Sequence, residues 1–198
     1  MVSKDFLWPS DFTNSAGKVL VAEAAVNRIV GLCPVRRRAA VQAGGCSGLW
    51  PLTLAQHFSH VYTFEPSQTN FKCLQQNIAG HSNVSASDCA LSDERRLVGL
   101  TRTKPRAGMW EVNGEGDIQA VTLDDFLGDI EVDALVLDVE GSELAAWRGA
   151  ERMIIKHHPV LWFEFNRNVD ALKAWLADHG YTQPQVGIGR DAFSVYNG

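Results

Sequence analysis

The segment Val136-Leu137-Asp138-Val139-Glu140-Gly141-Ser142-Glu143 sets three carboxylates at the end of an apolar run. Like charges this close repel, and they are costly to hold together unless solvent, a cation or a proton stabilises them. Val132–Leu137 predicts a buried strand, and ligands of open α/β sheets bind at the carboxyl ends of such strands. Asp138 and Glu140 are therefore the first candidates for chemistry. Glu143 reads differently, as a first-turn helix residue whose charge favours the helix dipole.

A second segment, Gln42-Ala43-Gly44-Gly45-Cys46-Ser47-Gly48, joins an apolar strand pattern to a helix pattern. Glycines let backbone approach a ligand closely, and free N–H groups at a helix start can meet its polar atoms. The spacing is GGxxG rather than the GxGxxG of dinucleotide sites, and no Gly-Lys-Ser/Thr follows to make a P-loop. About 20 residues past the first glycine, where an acid can accept from ribose hydroxyls, stands Glu65, followed by Pro66. A helix-start charge is the alternative reading of Glu65. Asp88 and Cys89 follow a third strand pattern, placed to meet an adenine ring or simply to make a turn.

These residues need elements to hold them. Candidate strands are Ala39–Ala43, His60–Phe64, Val84–Ser87, Val132–Leu137 and Val160–Phe165. Between them lie helical patterns at Leu49–Phe58, Ser67–Ile78, Leu123–Leu127 and Ser142–Lys156, and Val169–His179 follows. Such alternation predicts an α/β fold with a parallel sheet and crossover helices. Thr182–Val186 and Ala192–Tyr196 predict an antiparallel hairpin at the sheet edge. Ser15–Gly31 predicts a packing helix with Val19, Ala22, Val26, Ile29 and Val30 on one face, ended by Gly31 and Pro34. Before it, Trp8-Pro9-Ser10-Asp11 reads as an extended arm that covers a pocket or frays. Leu97–Thr122, with Arg102, Lys104, Pro105, Arg106, Gly108 and Gly114–Gly116 around Trp110, breaks the alternation and is expected to be a hairpin or a mobile insertion.

The chain has 198 residues, 45% hydrophobic, and a net charge of −5, the profile of one globular domain without a cationic surface. Nucleic-acid binding is therefore not expected. Arg36-Arg37-Arg38 reads as a solvated edge before a buried strand. No apolar stretch approaches the roughly 20 residues of a membrane span, and the start of the chain lacks the pattern of a secretory signal, so a cytoplasmic protein is expected. Cys33, Cys46, Cys73 and Cys89 lack CxxC spacing and read as reduced thiols. His57 and His60 have no partner at zinc-site spacing, and no metal is assigned.

The glycine turn, Phe64-Glu65-Pro66, Ala90-Leu91-Ser92-Asp93, Thr122-Leu123-Asp124-Asp125, Asp138 to Glu143, Gly149-Ala150 and Pro159 to Glu164 together resemble the FkbM family of methyltransferases. The resemblance implies a Rossmann-like class I methyltransferase fold, with a central, mostly parallel seven-stranded sheet, helices on both faces and an antiparallel edge hairpin. It implies S-adenosylmethionine as cofactor and O-methylation of a small-molecule or sugar hydroxyl. One domain over residues 1–198 is expected, with an arm and packing helix over 1–35 and the core over 36–198.

Carried onto this sequence, the resemblance implies that Gln42, Gly44, Gly45, Cys46, Ser47 and Gly48 support the methionine part, that Glu65 and Pro66 meet the ribose side, and that Asp88 and Cys89 contact adenine. Asp138 stands near the sulfonium, with Glu140 and Glu164 as candidate catalytic groups, either as a general base or through a divalent cation. Gln42, Gly45 and Cys46 replace the family's usual Asp, Ala and Asn. Those departures motivate a second reading, a scaffold that keeps the fold and has lost turnover. A nucleotide-dependent oxidoreductase is a third, disfavoured by the missing third glycine.

Overall fold

The computed structural model describes residues 5–10, 12, 15–33, 35–102 and 110–198. In chain order these form α1 (Ser15–Leu32), β1 (Ala39–Ala43), α2 (Leu49–Leu54), β2 (His60–Phe64), α3 (Gln68–Ile78), β3 (Val84–Ser87), β4 (Ala90–Leu91), β5 (Arg96–Arg102), β6 (Trp110–Val121), α4 (Leu123–Leu127), β7 (Val132–Leu137), α5 (Glu143–Arg148), α6 (Glu151–His157), β8 (Val160–Glu164), α7 (Val169–Asp178), β9 (Gln185–Val186) and β10 (Asp191–Ser194).

Seven strands make one sheet in the order β3-β2-β1-β7-β8-β10-β9. The first five in that order pair in parallel, and β10 runs antiparallel to both β8 and β9. Every residue of β1 is buried, as expected of a parallel strand covered on both faces. The period-2 alternation then sorts side chains into two cores. Val41, Ala43, Leu135, Leu137, Leu161 and Phe163 pack on one face with α4 to α7. Ala40, Ala134, Val136, Val160 and Trp162 pack on the other, where Ala25, Val26 and Ile29 of α1 and Leu54 of α2 cover them. Burial of each Leu, Val or Phe contributes roughly 1.5–3 kcal/mol, which fixes the strand ends where the candidate residues sit.

Some expected elements differ in extent, the edge strands among them, which are Gln185–Val186 and Asp191–Ser194. Ser142–Lys156, expected as one helix, is two, α5 and α6, broken at Gly149-Ala150. A Cβ on Gly149 would lie 1.9 Å from the Ser92 carbonyl oxygen, and the Asp124 carboxylate accepts from the Arg152 and Met153 amides at 2.9 and 2.8 Å, starting a new helix. The expected Leu49–Phe58 helix ends at Leu54 and continues as hydrogen-bonded turns to Phe58. The last parallel strand stops at Glu164, one residue early.

The insertion is a hairpin. β5 pairs antiparallel with β6, and β6 pairs with β4, giving a separate three-stranded sheet. Lys104, Pro105, Arg106 and Gly108 lie outside the described residues, as does Asp11 of the arm. Arg38 is spent on structure: it binds the Asp133 carboxylate through its amide and guanidinium and pairs with Glu131, tying the start of β1 to that of β7. All four cysteines are free thiols. Among the described residues no helix is long and apolar enough to cross a membrane.

Candidate active site

The strand order reverses at β1, whose neighbours β2 and β7 precede and follow it in the sheet, and a cavity of about 440 Å³ opens at the carboxyl ends of these three strands. That volume is within the usual range for small ligands, and the position is where open α/β sheets bind them.

Its floor is the glycine turn after β1. The Gly44 and Gly45 amides both donate to the Phe64 carbonyl at 3.0 Å, so the turn is pinned to the end of β2. Gly44 has φ +84°, and a Cβ there would sit 2.0 Å from the Asp138 carbonyl oxygen. Only glycine permits this contact between the turn and the end of β7. Asn77 of α3 holds the far side, donating to the Ser47 carbonyl at 2.7 Å and exchanging hydrogen bonds with the backbone of Leu7 at 2.8 Å.

Glu65 lies against this turn. Its Oε2 accepts from the Cys46 amide at 2.7 Å and its Oε1 from the Ser67 amide at 2.8 Å. Burial pushes its carboxyl up to about 7 even though these amides, and Asn70, favour the charged form. Each oxygen keeps a lone pair for a further donor. Glu65 thus holds the start of α3 and also lines the cavity.

Across the cavity stand the acids of β7 and β8. Asp138 opens onto the cavity but is walled in by protein; burial first, then Glu164, Asp191 and Glu140, push its carboxyl up to about 8, against Lys18. Glu140 is half-buried and raised to about 7 by burial and then by Glu164, with Arg167 opposing. Its backbone is left-handed at φ +52°, a conformation that costs a non-glycine residue of order 1–3 kcal/mol and clusters at functional sites. Glu143 plays the structural part foreseen for it: buried in the first turn of α5, it accepts from the Val139 and Gly141 amides at 3.3 Å and braces the loop.

Gly44, Gly45, Cys46, Ser47, Glu65, Pro66, Cys89, Asp138, Glu140 and Glu164 all line the cavity. Gln42, Gly48 and Asp88 do not. Gln42 is fully buried, its carbonyl accepting from the Thr63 hydroxyl at 2.6 Å and its amide donating to the Ala43 carbonyl at 3.0 Å. Gly48 is the left-handed cap of α2. Asp88 is exposed and bonds Gln68 at 3.1 Å.

Other lining residues carried little sequence signal. Phe12 and α1 residues Lys18 and Val21 reach the cavity from one side, Trp110 and Val112 of β6 from another, and Arg190 and Asp191 from the edge hairpin. Trp8 stacks on Phe12 at 4.4 Å, which sets the arm beside the cavity that Phe12 lines, while Trp8, Pro9 and Ser10 do not line it. Arg167 bridges hairpin and loop, pairing with Glu111 of β6 and donating to the Glu140 carbonyl at 3.2 Å.

S-adenosylmethionine, the cofactor this architecture implies, fits the residues present. A carboxylate with spare acceptor capacity lies beside a glycine turn, and acids with no paired cation among the described residues face it, as a cationic ligand with a ribose diol requires.

Residues 43–182 match the family model described as the methyltransferase FkbM domain. Among solved structures, the chain is similar to the methyltransferase FkbM of Methylobacillus flagellatus KT, at 20% identity and TM-score 0.60, covering 80% of this chain and 43% of that one. It thus spans less than half the length of that relative. It is also similar to the ribosomal protein L11 methylase of Lactobacillus delbrueckii subsp. bulgaricus, at 12% identity and TM-score 0.57 over 96% of this chain and 83% of that one. The magnesium protoporphyrin IX methyltransferase of Synechocystis PCC 6803, solved with bound SAM, gives 13% identity and TM-score 0.52 over 92% and 81%. No curated protein matches. The fold is that of class I methyltransferases, and with the family model covering most of its length, this chain belongs to the FkbM family of S-adenosylmethionine-dependent methyltransferases.

Proposed function

We propose that the cavity binds S-adenosylmethionine and that the protein methylates a hydroxyl oxygen of a small molecule or sugar. The observation that carries the reading is the Glu65 carboxylate, held by two amides beside the glycine turn and facing Asp138 and Glu140 across one cavity. The backbone from Gly44 to Ser47 supports the methionine part, Glu65 accepts from the ribose hydroxyls beside Pro66, and Cys89 contacts the adenine. When bound, the cofactor supplies an electrophilic methyl group on a sulfonium.

Most of the rate then comes from what the chain does around that methyl group: it aligns the acceptor oxygen and excludes water. Phe12, Trp110 and Val112 supply apolar walls for this. A neutral hydroxyl must also lose its proton, and carboxyls held near neutrality suit that task. Asp138 and Glu140 have such values. The net charge of −5 favours a small acceptor over nucleic acid.

Calorimetric titration with S-adenosylhomocysteine and with NAD tests the cofactor assignment; binding of NAD alone would sink it. Labelled S-adenosylmethionine with pooled hydroxylated metabolites tests turnover. Cofactor binding without transfer across broad pools would instead support a binding module of the same fold.

A further inference from the structure

Three stretches of chain bring carboxylates to one point: Asp138 after β7, Glu140 in the left-handed loop and Glu164 at the end of β8. One oxygen from each lies within 4.8 Å of the others. Acidic clusters alone indicate nothing, but Glu164 adds a separate observation. Its side chain is buried, and its Oε2 is closed off from solvent with no hydrogen-bond partner among the described residues.

A buried carboxylate oxygen without a partner costs free energy until something meets it. No cation among the described residues does. Arg167 is engaged by Glu111 and the Glu140 carbonyl, while Lys18 and Arg190 line the cavity without an ion pair to any of the three among the described residues. Asp191 adds a fourth acid nearby, its carboxylate accepting from the Trp162 indole at 2.9 Å.

We propose that Asp138, Glu140 and Glu164 hold one divalent cation of the oxygen-preferring class, Mg²⁺, Mn²⁺ or Ca²⁺, at the wall of the cofactor cavity; the inference rests on the methyltransferase reading. Three hard oxygen donors without nitrogen or sulfur select that class over zinc. Donors around one such ion, with bonds of roughly 2.0–2.6 Å, lie from about 3 Å apart at right angles to about 5 Å apart when opposite, so oxygens within 4.8 Å of one another can close onto a single ion. Three protein ligands leave positions open toward the cavity for water or an acceptor hydroxyl, whose proton becomes easier to remove. Each carboxylate binds through one oxygen, and a second oxygen remains to take that proton.

The test is titration of the full chain with Mn²⁺, free ion being followed by electron paramagnetic resonance, with and without saturating S-adenosylhomocysteine. One bound ion per chain is expected, with affinity falling at least roughly 10-fold in Glu164→Gln and again in Glu140→Gln, as loss of a metal-supporting group does. Circular dichroism establishes that each variant is folded, and Glu140, in an open loop, serves if Glu164→Gln is not. No binding up to about 1 mM, the weak end for protein sites of this class, overturns the proposal, as does wild-type affinity retained in both variants. Calorimetry on the same samples separates the two readings. S-adenosylhomocysteine bound without Mn²⁺ removes only the cation site, and Mn²⁺ bound without S-adenosylhomocysteine removes only the cofactor assignment.

Discussion

The Cys46 amide donates to Glu65 Oε2 at 2.7 Å, joining residues 19 apart in sequence and closing the end of β2 onto the glycine turn. One carboxylate thereby shapes the turn and offers acceptor capacity to a ligand. Charge-assisted hydrogen bonds are worth about 1.5–3 kcal/mol, so Glu65→Ala is expected to weaken S-adenosylhomocysteine roughly 10- to 150-fold. Calorimetry measures this directly, and an unchanged dissociation constant would leave Glu65 as a helix cap only.

The raised carboxyl of Glu65 makes two pH predictions. It titrates near 7 in the folded chain and near 4.3 when unfolded. Between those values the folded state holds a proton that the unfolded state has released, so this group's contribution to stability is full below the unfolded value and is lost as pH rises to about 7. The melting temperature of the wild type, minus that of Glu65→Gln, should therefore fall from pH 4.5 to 7 and then level off. Ribose hydroxyls donate best to the ionised form, so ligand affinity should rise over the same interval. A flat affinity profile that matches Glu65→Gln would remove the ribose role.

Gly44 and Gly48 both have positive φ, yet their surroundings differ. A Cβ on Gly44 would meet backbone, the Asp138 carbonyl oxygen at 2.0 Å, whereas one on Gly48 would meet the end of the Leu74 side chain at 3.0 Å. Side chains yield and backbone in a parallel sheet does not. Gly48→Ala should cost roughly the 1–2 kcal/mol of a left-handed residue; Gly44→Ala adds overpacking of about 1–3 kcal/mol or more. Denaturant melts should rank Gly44→Ala well below Gly48→Ala. Equal midpoints would mean that the turn shifts freely.

All five parallel strands were legible because their apolar runs are short, buried and closed by glycine or charge. The GGxxG turn and Glu65-Pro66 could be placed at the ends of β1 and β2 for the same reason: their sequence signal is local. Gln42 misled, since its position in the turn pattern suggests a ligand contact, while strand alternation turns it toward Thr63. Asp124 and Gly149 belong to the family resemblance but act in packing, one capping α6 and the other seated on Ser92. Lys18, Trp110 and Arg190 were beyond reach, because they meet only through tertiary folding of helix, insertion and edge hairpin.

Arg167 links two separate pieces of chain, the β6 strand through Glu111 and the candidate-site loop through the Glu140 carbonyl. Both partners are partly exposed, so Arg167→Ala should change global stability by less than about 1 kcal/mol. Local opening is another matter, since Arg167 bonds the loop and the hairpin at once. Hydrogen exchange should speed up at residues 110–113 and 139–141 while core strands keep their protection. Unchanged exchange there would show that Arg167 is a surface pair without positional effect.

Asp138→Asn and Glu140→Gln separate catalysis from binding. Both acids follow a buried strand and face the cavity at the switch point of the sheet, and both carry carboxyls raised toward neutrality by burial and by each other's neighbours. Their charge acts in two ways, by favouring a cationic donor and by accepting the acceptor's proton, alone or beside a bound cation. An amide keeps the shape and loses both. Loss of a general base typically lowers rate about 10²- to 10⁴-fold, whereas S-adenosylhomocysteine, which lacks the sulfonium charge, should keep its affinity within a few-fold. Transfer from labelled S-adenosylmethionine gives the rate and calorimetry gives the affinity. A wild-type rate in both variants would remove these acids from the chemistry, and an equal loss of rate and affinity would make them cofactor ligands alone.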